Sequence, residues 1–470
     1  MNSLKIIIIF ILLLRVCFSQ QYNIEGKIFG ESQGKPLSFG NVRVLNSMQG
    51  ASANIEGKYL LKLKTGNYKL AASFIGYISD TIAIKVNKNL KDIDFYLRPT
   101  SIHTPEVTIL PGKNPALEII QKTIDKKNIR EQKLNSYEFL AYTKGIIRSD
   151  QELNAGQNSI SMGVGNSTDS SKLEINAILE NESKGYFSKP DQYKEFIIAQ
   201  KQSSNLPPSV NILTGGRIIQ NFYSNDVRFF NRRLTSPLAD NALKYYYYYI
   251  SDTLAIDNER VFQIYFEPDY PSDPGFKGFL YITDSTFNLI KVDVDLNRAA
   301  NVGGLFEKVN IFQQFLPYKD SIYMPIDYRL FIKANVLGIT RIGFELNSIM
   351  YDYKINPEIS NDLFDKAILT VEPGADKKDS TYWKNSLTIP TTEEESKAYR
   401  KIDSLNAVPK SFWDEFPGNL LNTRFNIGGN FSISAPLSMY HFNRVEGHSL
   451  DFGFYSDELL DKRLNSNLNL

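Results

Sequence analysis

Residues 278–296 read GFLYITDSTFNLIKVDVDL. Two apolar runs, Gly278-Phe279-Leu280-Tyr281-Ile282 and Leu289-Ile290-Lys291-Val292-Asp293-Val294-Asp295-Leu296, flank a polar centre, which is the pattern of two strands joined by a turn. The same reading extends outward on both sides. Residues 261–266 lead into it through the turn cluster Pro268, Pro271 and Pro274, and 245–250, with five tyrosines, is another strand. Further upstream, 137–147 and 172–187 read as strands around a Gly/Ser/Asn-rich stretch, 159–171, expected to be a mobile loop. Downstream, 306–316, 328–336 and 339–353 continue the series. Together they predict a large, curved antiparallel sheet.

Two helices interrupt this pattern. Pro99, Pro105, Pro111 and Gly112 mark a linker, after which Asn114 is placed to cap a helix with Pro115 at its first position. Leu117, Ile120 and Ile124 give it an apolar stripe, with a charged face running through Lys127-Asn128 to about Lys133, and packing against the following sheet is its expected role. Near the other end, Thr392 and Glu395 have capping-box spacing before Ala398, Tyr399, Ile402 and Leu405. Pro409 should stop that helix, and Trp413, Phe416 and Pro417 read as a packed connection.

From residue 22 to 97 the chain alternates with period two: Tyr22/Ile24, Val42/Val44, Tyr59/Leu61/Leu63, Leu70/Ala72/Phe74, Ile82/Ile84/Val86 and Ile93/Phe95/Leu97. Turn signals at Gly34-Lys35-Pro36, Glu56-Gly57-Lys58, Thr65-Gly66-Asn67 and Gly76-Tyr77 fit a small Ig-like sandwich of about seven strands. The runs Ile24-Glu25-Gly26-Lys27-Ile28, Gly34-Lys35-Pro36-Leu37, Asn41-Val42, Glu56-Gly57-Lys58-Tyr59, Gly66-Asn67-Tyr68-Lys69-Leu70 and Ile75-Gly76-Tyr77 resemble a carboxypeptidase regulatory-like domain over residues 21–98. The resemblance implies a transthyretin-like fold without a peptidase site, often found as a periplasmic extension of outer-membrane receptors. Residues 114–126, Ser136-Tyr137-Glu138-Phe139, Gly275-Phe276-Lys277-Gly278 and Tyr281-Ile282-Thr283-Asp284 resemble an uncharacterised bacterial family. In that family such a module precedes a long sheet region and a C-terminal outer-membrane barrel. That resemblance implies architecture and location, and no functional residue is carried over from it.

Lys5 precedes the apolar run 6–14, followed by Arg15-Val16-Cys17-Phe18-Ser19, which is the layout of a cleaved secretory signal. The run is too short for a membrane-spanning anchor. Cys17 follows Arg15-Val16, where a lipobox has small residues, so lipidation is not expected. Cys17 is the only cysteine, which removes thiol and disulfide chemistry from the mature chain. The sequence holds 53 basic and 52 acidic residues; without Lys5 and Arg15 the balance is 51 − 52 = −1, which argues against a nucleic-acid partner.

At the other end, Phe425, Ile427, Phe431 and Ile433 alternate with Arg424, Asn426, Asn430 and Ser432, and 450–454 and 464–470 alternate likewise. That is the signature of lipid-out, polar-in strands. The region holds three or four of the eight strands a closed barrel usually needs, so the chain is expected to be the N-terminal part of a longer barrel protein. The predicted fold is therefore mainly β. A signal peptide (1–19) precedes an Ig-like/transthyretin-like sandwich (20–98) and a linker (99–114); then come a helix plus large antiparallel sheet (115–390), a helical connector (391–422) and the first strands of an outer-membrane β-barrel (423–470).

Three constellations invite a chemical reading. His103-Thr104-Pro105-Glu106 has the His-x-x-Glu spacing of two zinc ligands, but a third would have to be His441 or His448, and Pro105 lies in a linker. Asp240, Asp252, Asp257, Asp269, Asp273, Asp284, Asp293 and Asp295 lack the spacing of a calcium loop and read as turn and solvent-face residues. Val302-Gly303-Gly304 lacks the lysine and helix of a phosphate cradle and reads as a hairpin turn. No catalytic, cofactor-binding or metal residue is assigned. The expected function is that of a non-enzymatic outer-membrane protein whose periplasmic domains bind or position a protein or lipid partner. The rival is a lipid or lipoprotein carrier, since a long curved sheet with a helix across its mouth can enclose an acyl chain, and the strand pair 278–296 faintly resembles periplasmic lipoprotein carriers. A zinc carboxypeptidase has only His103 and Glu106 behind it.

Overall fold

The structure, a computed structural model, describes residues 21–31, 34–47, 49–100, 114–149, 173–203, 221–229, 232–257, 259–301, 306–318, 322–336, 340–364, 368–386, 389–405, 424–428, 431–434, 440–443, 447–450, 453–458 and 464–469. The expected secretory signal, the His103–Glu106 motif, the expected loop at 159–171, the expected turn at 302–304 and the expected connection at 409–417 lie outside the described residues. The chain divides into two compact units; one runs to Ile102 and takes in Ala255–Asn258 and Ser380–Pro390, and the other holds the remainder. Residues 255–258 and 380–390, expected in the sheet region, thus count with the first unit.

That first unit is a sandwich of two four-stranded sheets. One has the order β4 (Lys58–Lys64), β1 (Gln21–Gly30), β8 (Phe95–Pro99), β6 (Tyr77–Ile78); the other runs β3 (Gly50–Ser52), β2 (Asn41–Val44), β5 (Gly66–Ser73), β7 (Asp80–Val86). All six predicted strands are present, and β3 and the two-residue β6 are additional. The alternating residues Ile24, Ile28, Leu61, Leu63, Phe95 and Leu97 meet in one core, each fully burying side chain contributing about 1.5–3 kcal/mol. Within the first of these sheets Tyr59 of β4 donates its hydroxyl to the carbonyl of Ile93, just before β8, at 2.6 Å. Burial pushes that phenol well up.

The second unit is built on an eleven-stranded sheet. Its order begins β14 (Tyr246–Ile256), β15 (Glu259–Pro268), β16 (Phe276–Thr283), β17 (Leu289–Leu296), β18 (Phe306–Pro317), β19 (Tyr323–Val336) and β20 (Thr340–Ile355). It then returns to β9 (Ser136–Ser149), β10 (Glu174–Ser188), β11 (Gln192–Ser203) and the short β21 (Leu369–Val371). The 278–296 stretch is the hairpin β16–β17, in antiparallel register from Phe276↔Leu296 to Ile282↔Leu289. The sheet is closed at its centre by β20 pairing antiparallel with β9, from Ile342↔Ser149 to Ile355↔Tyr137. Helix α1 (Pro115–Lys133) and the antiparallel pair β12 (Asp226–Phe229) and β13 (Arg232–Thr235) cover one face through a core that includes Ile120, Ile124, Phe139, Val227, Leu234, Leu280 and Met324. Helix α2 (Ser380–Ser386) belongs to the first unit, and α3 (Glu393–Leu405) packs on β10 and β11 in the second. Beyond α3, β22 (Arg424–Gly428), β23 (Phe431–Ser434), β26 (Gly453–Glu458) and β27 (Leu464–Asn469) form a four-stranded antiparallel sheet, and β24 (Tyr440–Asn443) pairs with β25 (Gly447–Leu450).

Candidate site under helix α1

Helix α1 begins where the sequence places it. Asn114 Oδ1 accepts from the Ala116 N–H at 3.0 Å, Pro115 occupies the first turn, and Arg130 and Lys133 lie in the last turn beside the negative end of the helix dipole. The same Asn114 side chain donates from Nδ2 to the Tyr248 carbonyl of β14 at 2.6 Å, tying the helix start to the outermost strand. Its underside comprises Ala116, Ile119, Ile120, Thr123, Ile124, Lys127 and Arg130, at the three- and four-residue spacing of one stripe. Leu117, expected in that stripe, is 39% exposed instead, because Ala116 and Ile120 set the buried direction and Leu117 falls about 100° away from Ala116.

Three polar side chains lie within this stripe. Thr123 donates to the Ile119 carbonyl at 2.8 Å, a bond internal to the helix. Lys127, 0% exposed, spends its three N–H groups on Asn225 Oδ1, the Leu238 carbonyl at 2.9 Å and Asp240 Oδ1 at 3.2 Å. Arg130, one turn further on and 8% exposed, has no such set. Its guanidinium lies over the Tyr223 ring at 4.1 Å and Nη2 points at Met324 Sδ at 3.8 Å, while Nε finds no hydrogen-bond partner among the described residues. Burial pulls the guanidinium below its ordinary value, and the Tyr223, Tyr137, Tyr353 and Glu131 groups oppose that. Around it the rings form a wall: Tyr137 stacks on Phe187 at 4.9 Å, and Tyr353 meets Phe139 at 5.5 Å and Tyr318 at 5.2 Å. Burial pushes the Tyr137 phenol up to about 12, with Arg130 pulling the other way.

A polar row crosses the same face of the sheet. Register aligns Gln313, Tyr328, Ser348, Thr143 and Asn181 on five successive strands, and all five are 0% exposed. Gln313 Oε1 accepts from the Phe222 N–H at 3.2 Å, and the Thr143 and Ser348 hydroxyls are bonded to each other at 2.8 Å. The Tyr328 hydroxyl has no partner among the described residues. Towards the rim, Glu195 accepts from the Ser183 and Tyr193 hydroxyls, each at 2.6 Å. Buried polar groups disposed this way hold a defined geometry and place hydrogen-bonding capacity inside an apolar face.

The opposite face carries a separate ionic cluster. By alternation Tyr142, Lys144 and Ile146 point there, and α3 covers them with Ala398 and Ile402. The capping box forms: Thr392 N–H donates to Glu395 Oε2 at 3.2 Å and Glu395 N–H to Thr392 Oγ1 at 3.1 Å. Glu395 Oε2 also accepts from Lys144 Nζ at 2.8 Å, while Glu180 accepts the Tyr142 hydroxyl and pairs with Lys201 at 3.3 Å. Arg148 bridges Glu345 at 2.7 Å and Glu394 at 2.5 Å. Spacing singled out Glu395 as a cap but not its ionic partner, since each ion pair joins positions far apart in sequence.

The aspartates are dispersed. Asp240 is held by Lys127, Asp284 by Arg260, and Asp293 and Asp295 both accept from Asn310 Nδ2, at 3.2 and 3.0 Å. His441 and His448 lie on the β24–β25 hairpin, in register with Ser449 and Phe442. His103 and Glu106 lie outside the described residues, as do Gly303 and Gly304.

The two units define a mainly β protein in which a regulatory-like sandwich precedes a helix-covered sheet. The carboxypeptidase regulatory-like domain model matches residues 24–109, and the model of a family of unknown function, DUF5686, matches residues 119–353. The chain belongs to that family. No curated protein matches it. Among solved structures it is similar to a DUF1329 family protein from Desulfovibrio piger, at 11% identity over 54% of this chain and 98% of that one, with a TM-score of 0.27. It is also similar to a LolA superfamily protein from Nitrosomonas europaea, at 12% identity over 53% and 97%, with a TM-score of 0.21. Similarity at that level carries nothing about what this chain binds.

Proposed function

We propose that the chain is a non-enzymatic, exported protein of the cell envelope, associated with the outer membrane through residues 424–470, whose sandwich and long sheet bind or position a periplasmic partner. One observation carries the binding part: a broad face of aromatic, methionine and aliphatic side chains is covered by helix α1 together with residues of 222–242, and the underside of α1 includes Thr123, Lys127 and Arg130. A cover with charged groups on its inner side gains less from staying closed than an apolar one. The envelope address rests on the charged and apolar layout of residues 5–19 and on the alternation in 424–470. The non-enzymatic reading is supported by the closed pairings of Lys127 with Asp240, Lys144 with Glu395 and Arg148 with Glu345. Expression of the chain with residues 1–19 and fractionation of the cells test the address: soluble or aggregated periplasmic material is expected, since residues 424–470 hold too few strands to close a barrel, and retention in the cytosol would refute the export. His103→Ala abolishing a measured peptidase activity would refute the non-enzymatic reading.

The same covered face favours a second reading, a carrier of lipid or lipidated protein. Mass spectrometry of protein purified from native membranes should then find co-purifying lipid at a stoichiometric level. Lipid-free protein would remove the carrier reading and leave a protein partner.

A further inference from the structure

Lys127 and Arg130 make a controlled comparison. They project from one face of one helix, one turn apart, and both are buried, yet Lys127 has three oxygen acceptors and Arg130 has a ring face and a thioether. The ring face and the helix C-terminus offset part of the cost of burying the cation. Among the described residues no carboxylate is bonded to the planar fork, which matches carboxylate and phosphate oxygens in pairs.

The position of Arg130 is equally specific. Tyr137 is the second residue of β9, Met324 the second of β19, Tyr193 the second of β11, and Tyr353 lies near the end of β20. In this antiparallel register those strand ends share one rim of the sheet, so the guanidinium sits at the rim rather than at the centre of the face. Inward from it run the apolar side chains that α1 covers. A cation at the rim of an apolar face is the complement of an anionic head followed by a hydrocarbon tail.

We infer that Arg130 is the anion-binding group of an internal site that takes the carboxylate or phosphate head of an acyl amphiphile. This assignment rests on the carrier reading and names the head group it would accept. Tyr223 holds the guanidinium plane by its ring, with its own hydroxyl fixed on the Leu289 carbonyl at 2.9 Å, and Tyr353 is fixed on the Pro325 carbonyl at 2.8 Å. The fork is therefore positioned before a ligand arrives, which lowers the ordering cost of binding.

The test uses the full chain and calorimetry with four probes: decanoate, decyl phosphate, decanol and inorganic phosphate. Decanoate or decyl phosphate should bind at least about tenfold tighter than decanol, as a charge-assisted bond to a buried fork implies. Arg130→Met should bring the anionic probes to within about twofold of decanol while leaving decanol binding in place, and Arg130→Lys should fall between, having the charge without the fork. Without ligand, Arg130→Met should melt no lower than the wild type, because it removes a buried charge to which no carboxylate is bonded among the described residues. Equal binding of decanol and the anionic probes overturns the inference and leaves the carrier reading intact. No binding of any acyl probe overturns both. Inorganic phosphate binding as tightly as decyl phosphate, or a marked loss of melting temperature in Arg130→Met, overturns the inference in favour of a free-anion site or a purely structural arginine.

Discussion

Glu395 closes a helix cap and neutralises a buried lysine with one carboxylate oxygen. Glu395→Gln preserves an acceptor for the Thr392 N–H but leaves Lys144, 1% exposed at its side chain, without that counter-charge. A loss of about 3 kcal/mol is expected, against about 1 kcal/mol for Thr392→Ala, which removes only a cap. Equal losses in urea denaturation would mean that the ion pair contributes nothing. Glu180 beneath the same helix sets an acid limit. Burial pushes its carboxyl up, but Lys144, Lys201 and the Tyr142 and Tyr399 hydroxyls outweigh this and bring it below its ordinary 4.5. A carboxyl depressed in the folded state contributes its stability in full above the unfolded value and loses it as pH falls through the folded one. Unfolding midpoints followed from about pH 6 to about pH 3 should therefore decline below roughly 4.5, and Glu180→Gln should flatten part of that decline. An unchanged slope in Glu180→Gln would assign the acid limit elsewhere.

At the scale of elements, the legible parts were those with local signals. Asn114, Pro115 and the Thr392/Glu395 box define two helix starts by chemistry within four residues, and both helices begin there. Strand β11 was missed for a physical reason. Its residues Lys194 and Glu195 are both buried, Lys194 donating to Thr370 Oγ1 at 2.7 Å and Glu195 accepting from Ser183 and Tyr193, so polar groups occupy both faces and period two disappears. The candidate site was illegible likewise, because Arg130, Tyr223 and Met324 are joined only by the fold. Asn114→Ala removes both the cap and the bond to Tyr248. It should cost about 1–2 kcal/mol in chemical denaturation, and the loss should exceed that of Asn114→Asp, which keeps the capping oxygen. Both variants lose the donor to the Tyr248 carbonyl, so equal losses for the two would show that the cap is idle.

For the whole molecule, six of the eight sandwich strands were readable because alternation marks one buried face, whereas β3 and β6 are too short to show it, and the order of the long sheet was not readable, since no local pattern announces that β9 lies between β10 and β20. We expect residues 21–98 to fold alone: every strand of the two four-stranded sheets except the last residue of β8 lies within that span. Circular dichroism of the fragment showing a random coil would contradict this and give residues 255–258 and 380–390 an essential part in the unit. The central pairing has a further consequence, in time rather than in space. A chain delivered from its N-terminus can pair β9 with β10 early, but the other edge of β9 has no partner until residues 340–355 have arrived. Closure of so distant a pair is slow, and an open edge of fourteen residues is a template for other chains in the interval. The period of greatest risk to this protein is therefore its synthesis, when the middle of its sheet is for a while an edge.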